Sequence, residues 1–289
     1  MEPGNSPTAL LQYGNLSQPV LFRDCANLVN ILMAISTTIP YRLLHSPEAH
    51  VPQIIVSLDD YSYVRESFWL TKSVKLKDCV DAVCDLTVDL IHSLAASTPG
   101  ALCFHCAAVE FGKGLYLFPV TYGAGKSLLA TYLCSRGARL YTDDALLITR
   151  DENLGVAIGL LPRLRLPLPD QLEQGFRDFV RNRSVLRNSR YCYVRLEGGE
   201  MVPYGTSAPV AGIILLERQS VSKPELLIEN KKEAIKEVIL RNFARNASPA
   251  GIVDRIQNIV DNGVCYRLIY QDVPEAANIL LETLGKPEK

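Results

Sequence analysis

The chain has 289 residues, of which 48% are hydrophobic and 21% are charged, and its formal net charge is -1. This length suits one large domain or two unequal ones with a substantial buried core, and the apolar fraction excludes wholesale disorder. A protein that binds duplex nucleic acid normally carries a clear basic excess, so we expect no nucleic-acid partner.

The compartment is predicted from apolar runs and cysteines. The best candidate for a membrane span, residues 28–39, contains Asn30 and Ser36 and stops at Pro40, so it is shorter than the ~18 residues that a span requires. Residues 1–18 lack the basic region and apolar core of a secretory signal. We therefore expect a cytoplasmic protein without a membrane partner, whose 8 cysteines are thiols.

The first third of the chain is predicted to be an α+β region. Residues 1–18, rich in Gly, Pro, Asn and Ser, predict a loose start. Apolar spacing and turn residues then predict two helices and two strands. They are a helix capped by Asp24 that runs through 28–35, strands over 54–58 and 61–70 joined by a turn at Asp59-Asp60, and a helix from Asp78 to Pro99-Gly100.

After this helix the sequence pattern changes to short apolar strands separated by glycines. This change places a domain boundary between residues 98 and 99. We expect residues 1–98 to recognise a partner and residues 99–289 to form an α/β domain with mixed α+β sheets. The predicted strands cover 101–110, 115–118, 139–142, 145–149, 155–160, 191–196, 210–217 and 264–270. The predicted helices cover 126–135, 170–181, 231–245, 249–261 and 274–284.

The strongest chemical motif is Gly123-Ala124-Gly125-Lys126-Ser127, between a predicted strand and a predicted helix. Glycines let backbone N–H groups approach a phosphate, and a helix N-terminus adds a partial positive charge. The lysine can reach the outer phosphates, and the serine hydroxyl can bind Mg²⁺. The motif therefore predicts a P-loop (Walker A) site for ATP, and the alternative is an ordinary glycine turn that opens a helix.

The predicted nucleotide contacts extend on both sides of this motif. They are Thr121, Tyr122, Gly123, Ala124, Gly125, Lys126, Ser127 and Leu128. Val120 stands where the usual pattern has its first glycine, which would reshape the phosphate cradle.

Two further features lie close to the motif in sequence. Asp143-Asp144 follows a predicted strand, and a kinase site needs carboxylates for Mg²⁺ and for the acceptor hydroxyl. Alone, such a pair would more often be a solvated turn. His105 lies within an otherwise apolar predicted strand, where a histidine is more often a hydrogen-bonded core residue than a catalyst.

Together, His105, the segment 123–127 and the segment Gly137 to Asp144 resemble the catalytic domain of bacterial HPr kinase/phosphorylase and its relatives, over roughly 105–148. The resemblance implies a fold similar to phosphoenolpyruvate carboxykinase, and an ATP- and Mg²⁺-dependent kinase for a serine hydroxyl on a protein or peptide. It implies that Lys126 and Ser127 hold phosphate and metal, and that His105 lies near the phosphates.

For Asp143 and Asp144 the resemblance implies metal contact and the general base, and the division of these roles stays open. We name Asp143 with Ser127 as the metal ligands. The relatives are often oligomeric, so a homo-oligomer is also expected. The glycine-rich acidic signature of the bifunctional enzymes is not recognisable here, which leaves phosphorylase activity and HPr itself as acceptor open.

Basic residues follow the acidic pair. Arg163 and Arg165 alternate in a strand-like run and are predicted to point to one face. They would bind a substrate phosphate or carboxylate, or else form a solvated strand face. The arginines between 177 and 190 could dock an acidic peptide, or form a solvated helix and loop.

Three hypotheses follow for the function. The first is the serine kinase for a protein or peptide. The second is a kinase for a small hydroxylated metabolite at the same site, which predicts a closed pocket rather than an open groove. The third is a non-catalytic nucleotide sensor or scaffold, which the valine at position 120 favours.

Overall fold

A computed structural model describes residues 7–45, 49–112, 114–119, 124–244 and 247–285. Helices and strands are interspersed through the whole described chain. In order they are β1 (Ala9–Tyr13), β2 (Val20–Arg23), α1 (Asn27–Ile35), β3 (Tyr41–Leu44), β4 (Ile54–Asp59), β5 (Ser62–Ser67), β6 (Val74–Leu76), α2 (Cys79–Ala96), β7 (Leu102–Phe104), β8 (Ala107–Phe111), β9 (Gly114–Phe118), α3 (Lys126–Ser135), β10 (Arg139–Thr142), β11 (Leu146–Ile148), β12 (Leu154–Val156), β13 (Arg163–Arg165), α4 (Gln174–Asn182), β14 (Ser184–Arg187), β15 (Tyr191–Val194), β16 (Ser207–Arg218), β17 (Glu225–Ile228), α5 (Lys231–Leu240), α6 (Pro249–Asn262), β18 (Val264–Tyr270) and α7 (Val273–Leu284).

The first sheet has the strand order β3-β1-β2-β4-β5-β6. The pairing of β2 with β4 is parallel and the others are antiparallel. Helices α1 and α2 bury their apolar faces against this sheet, through residues such as Leu32 and Leu90. Asp78, where the sequence predicts this helix to begin, is the N-cap of α2, and its side chain accepts the backbone N–H of Asp81 at 2.8 Å.

The second sheet has the strand order β10-β8-β9-β16-β12-β11-β7, and β18 pairs with β16 and with β17. Strands β9, β16 and β18 are parallel neighbours. Along β16, Ile214 packs with α3 and α7 on one face, and Ile213 and Leu215 pack with α5 and α6 on the other. This alternation places helices on both faces of a mixed sheet. A small antiparallel sheet, β13-β15-β14, completes the described fold.

The fold class is the predicted one, a mixed α/β fold with mixed sheets. The predicted division at residue 98 stays a prediction. Cys103, Ala145 and Leu147, which lie beyond it, pack into the same core as α1 and α2. All 8 cysteines are free thiols, and each except Cys79 is buried. No helix within the described ranges has both the length and the apolar character that crossing a bilayer would require.

Several predicted elements in the first third are wrong. Residues 9–13 form a paired strand rather than a loose start, since their Leu and Tyr side chains are buried, and residues 1–6 lie outside the described part. Asp24 does not cap α1, because its φ of 58° turns the chain before the N-cap residue Ala26. The hairpin turns at Asp60-Tyr61, both in the left-handed region, rather than at Asp59-Asp60.

In the second part, the predicted strand over 101–110 is interrupted. β7 ends at Phe104 and β8 begins at Ala107, so His105 lies in the connection between two strands. β7 pairs with β11, and β8 pairs with β10 and β9. The predicted strand 139–142 and helix 126–135 match β10 and α3 as observed.

Candidate active site

The strand order places two connections side by side. The chain crosses from β7 to β8 through His105, and from β10 to β11 through Asp143-Asp144. β8 pairs with β10, and β7 pairs with β11. Both connections therefore join the β7–β11 pair of strands to the β8–β10 pair. The sheet therefore brings His105 against the aspartate pair, which is separated from it by almost forty residues.

The N-terminus of α3 lies at the same place. Its N-cap is Gly125, in the left-handed region with φ 89°, and no side chain caps its N–H groups within the described residues. A β-carbon at Gly125 would lie 2.9 Å from the hydroxyl oxygen of Tyr270, so only glycine fits. The predicted contacts Thr121, Tyr122 and Gly123 lie outside the described residues.

Tyr270 fixes this helix start from the other side. Its hydroxyl donates to the backbone oxygen of Ala124 at 2.8 Å, and its ring is buried. Tyr270 ends β18, and Arg218, at the paired position, ends β16. Since β9 is parallel to both strands, their carboxyl ends and the start of α3 share one edge of the sheet, where ligands bind in open α/β folds.

Lys126 and His105 form a hydrogen bond inside the site. The Nδ1 of His105 is 2.7 Å from the backbone oxygen of Asp144, and a carbonyl can only accept, so Nδ1 carries the proton. The Nε2 of His105 therefore accepts from the Nζ of Lys126, at 3.1 Å. Burial, followed by the charge of Lys126, lowers the pKa of His105 below its ordinary value, which keeps the ring neutral.

The two aspartates have different surroundings. Asp143 is 2% exposed, and its Oδ2 accepts the backbone N–H of Arg163 at 3.0 Å. Its Oδ1 is buried and has no hydrogen-bond partner in the described part of the chain. Burial and then the charge of Asp144 raise the pKa of Asp143 to about 6, although the neighbouring Ser127 hydroxyl and the lysine of α3 act in the opposite direction.

Asp144 faces the open side of the site. Its side chain is 29% exposed, and its Oδ2 lies 3.4 Å from the Nη2 of Arg163. The Thr142 hydroxyl donates to the backbone oxygen of Ala145 at 2.6 Å, which closes the turn that holds both aspartates. One carboxylate of the pair is thus enclosed beside Ser127 and the other is accessible.

These groups line a cleft of about 370 Å³. It contains the predicted residues His105, Ala124, Gly125, Lys126, Ser127, Leu128, Asp144, Arg163 and Arg165, and also Leu164, Pro167, Leu168, Pro169, Tyr191 and Arg218. Asp143 lies behind the wall rather than on it. A cleft of this size is within the usual range for a small ligand.

Sequence reasoning did not identify Tyr191, Arg218 or Tyr270 as site residues. Tyr270 ends the strand that the sequence predicts over 264–270, whereas Arg218 lies one residue beyond the predicted strand 210–217. Only the parallel pairing of β16 and β18 shows that the two residues share an edge. The guanidinium of Arg163 lies over the ring of Tyr191, 5.2 Å from its centroid. No local pattern in the sequence signals either contact.

A phosphate with Mg²⁺ fits the residues present. The start of α3, which no described side chain caps, presents N–H donors, and Lys126 adds a charge. The Oδ1 of Asp143, which has no hydrogen-bond partner among the described residues, lies beside the Ser127 hydroxyl. Mg²⁺ is usually bound by one or two carboxylates together with substrate phosphates and water. Within the described ranges, no group of three or more His, Cys, Asp or Glu side chains is arranged to hold a metal ion.

No protein-family model matches the chain. No curated protein sequence matches it. Among solved structures, the chain is similar to the Hpr(Ser) kinase/phosphatase from Coxiella burnetii, with 14% sequence identity and a TM-score of 0.30, over 63% of this chain and 87% of that chain.

Proposed function

We propose that the protein is an ATP- and Mg²⁺-dependent kinase that phosphorylates a serine hydroxyl of a protein or peptide. The observation that carries the proposal is the buried Oδ1 of Asp143 beside Ser127, which has no hydrogen-bond partner among the described residues, at a helix start that none of the described side chains caps. A buried carboxylate oxygen without a partner is costly, and a bound cation would remove that cost.

Each residue has a role that its geometry supports. The N-terminal turn of α3 and Lys126 hold the phosphates, and neutral His105 orients the lysine ammonium from behind. Ser127 and Asp143 are the metal ligands. When bound, Mg²⁺ supplies neutralisation of the phosphate charge.

The roles of the two aspartates, which the sequence leaves open, can be divided on geometry. Asp144 lines the cleft and is accessible to an acceptor, whereas the enclosed Asp143 is not. Asp144 is therefore the proposed general base, positioned by Arg163. Transfer joins the serine oxygen to the γ-phosphorus, breaks the bond to the β–γ bridging oxygen, and passes the hydroxyl proton to Asp144, leaving ADP and phosphoserine.

The first experiment measures the thermal midpoint of the protein with and without Mg·ATP. A ligand at 100 times its dissociation constant stabilises by about 2.7 kcal/mol, which corresponds to a shift of several degrees. We expect this shift for the wild type and its loss in Lys126→Ala. The control variant Lys223→Ala, which changes an exposed lysine distant in sequence from the site, should keep the shift. An absence of any shift at millimolar Mg·ATP would rule out the nucleotide site and with it the kinase.

The second experiment measures phosphate transfer from ATP to serine-containing proteins by mass spectrometry. Transfer that requires both Lys126 and Asp144 supports the kinase. Nucleotide binding without transfer to any protein would instead support the nucleotide sensor, and transfer only to small hydroxylated compounds would support the metabolite kinase.

A further inference from the structure

A second groove adjoins the cleft behind a shared wall. Pro167 and Leu168 line both spaces, and the second space has a volume of about 530 Å³. Its other sides come from α4, β14 and β15, and its floor includes the buried Val180 and Cys192. A nucleotide in a cleft of about 370 Å³ leaves little room for a polypeptide, so the adjoining groove is the place where an acceptor chain can lie.

The groove is basic although the chain as a whole is not. Three arginines and one aspartate are among its described lining residues, giving it a net charge of +2, while the whole chain has -1. Arg177 is held inward, because its guanidinium donates to the backbone oxygens of Pro169 and Leu172 at 2.7 and 3.0 Å. The other two arginines, Arg181 and Arg187, are exposed.

Both exposed arginines are available to a partner. Arg181 contacts Asp178 at 2.8 Å, but the side chain of Arg181 is 67% exposed and that of Asp178 is 38% exposed. Such surface pairs contribute only about 0–1 kcal/mol. Arg187 forms no ion pair with any residue that the structure describes. The two arginines belong to the last turn of α4 and to β14, on either side of the short connection between these elements.

The lining of the cleft, like that of the groove, carries a net positive charge. Its described lining includes Lys126, Arg163, Arg165 and Arg218, together with the carboxylate of Asp144. A basic surface of this extent that continues past the catalytic groups attracts an acidic partner and excludes a basic one.

We propose that the acceptor is an acidic polypeptide segment, whose carboxylates contact Arg181 and Arg187 in the groove while its serine reaches Asp144 in the cleft. This inference rests on the proposed kinase function and adds the class of its substrate. A polypeptide fits better than a nucleic acid, because the groove combines two exposed arginines with an apolar floor and a wall of proline and leucine.

The test uses a fluorescein-labelled peptide with a single serine flanked on both sides by glutamates, and a matched peptide with glutamines. Binding is measured by fluorescence anisotropy on the full chain without nucleotide, at low and at physiological ionic strength. We expect the glutamate peptide to bind at least about tenfold more tightly, with a preference that weakens as salt is added. Equal binding of the two peptides would overturn the inference.

The variant Arg181→Glu/Arg187→Glu should lose this preference. The control Lys223→Glu/Lys232→Glu changes the net charge by the same amount at exposed lysines outside the groove, and should keep it. If the charge reversal impairs folding, as judged by the thermal midpoint, Arg181→Gln/Arg187→Gln provides the same comparison with a smaller expected loss. Equal loss in the control variant would contradict a specific contact.

Two further outcomes separate this inference from the proposed function. Lys126→Ala should still bind the glutamate peptide, because the lysine is not part of the groove. In transfer assays the double arginine variant should raise KM for the glutamate peptide at nearly unchanged kcat. Phosphate transfer to the glutamate and glutamine peptides with equal kcat/KM would overturn the acceptor role, and equally tight binding of a uracil oligonucleotide would overturn the assignment to a polypeptide.

Discussion

In two clusters among the described residues, an arginine lies beside a pair of aspartates. The clusters differ in how many of the two carboxylates the arginine side chain pairs with. Arg65, 3% exposed, contacts Asp85 through Nε and Nη2 at 2.8 and 2.7 Å and forms an ion pair with Asp89. Arg163 reaches Asp144 at 3.4 Å, while Asp143 receives only its backbone N–H.

The difference follows from where the carboxylates lie. Asp85 and Asp89 are four residues apart on α2, so they face one side of the helix and one arginine of β5 serves both. Asp143 and Asp144 are adjacent in a turn between strands, so one is directed into the protein and the other into the cleft. The guanidinium of Arg65 pairs with both carboxylates of the first cluster, whereas the guanidinium of Arg163 pairs with Asp144 alone.

The largest expected effect is on the rate of phosphate transfer, which should depend on the Asp143–Asp144 cluster and not on the Arg65 cluster. Asp144→Asn removes the proposed general base and should reduce phosphate transfer by about 10²- to 10⁴-fold. Asp85→Asn, the matched change in the other cluster, should leave transfer unchanged. The measurement is the transfer rate at saturating acceptor and Mg·ATP, and a similar loss in both variants would mean that the effect is structural.

The second-largest expected effect is on the free energy of unfolding, which should depend on the Arg65 cluster. Arg65→Met leaves a buried carboxylate without its partner, which typically lowers the free energy of unfolding by about 3–5 kcal/mol. Urea denaturation measures this loss. Because the Arg65 cluster is not part of the cleft, the remaining folded protein should keep its thermal shift with Mg·ATP. A loss of nucleotide binding with intact folding would show that the clusters are coupled.

Asp143→Asn should instead raise the stability, by about 1–3 kcal/mol, because it removes a buried charge next to Asp144. The pKa of Asp143 rises from its ordinary 3.8 to about 6 in the folded chain, so the folded state binds more protons than the unfolded state between these values. Its contribution to the free energy of unfolding therefore becomes less favourable as the pH rises through that interval.

The gain from Asp143→Asn should accordingly be absent below pH 4 and complete above pH 6. Thermal midpoints of wild type and variant, measured in EDTA across this range, test it. The variant should also lose the stabilisation by Mg·ATP that the wild type shows. If Asp143→Asn were less stable than the wild type at pH 7, the charge of Asp143 could not be uncompensated in the folded protein.

The sequence predicted these sites unequally, for physical reasons. Helix α3 and strand β10 follow from local signals, namely glycines at both ends of a helix and short apolar runs, so the start of the helix and the aspartate pair could be placed correctly. Strand β1 was missed because the polar residues around it resemble a loop, while its pairing with β2 and β3 is not local. The interruption at His105 likewise depends on β7 pairing with β11.

The smallest expected effect concerns a contact of Tyr270 that no local signal in the sequence indicates. Tyr270→Phe removes the hydrogen bond to Ala124 and keeps the buried ring. A hydrogen bond of this kind contributes about 0.5–1.5 kcal/mol, so nucleotide affinity should weaken by up to about tenfold. Tyr266→Phe, on the same strand and outside the cleft, is the control. Because the bond holds the helix start rather than the acceptor, titration calorimetry with Mg·ATP should show the loss, while binding of the glutamate peptide stays the same.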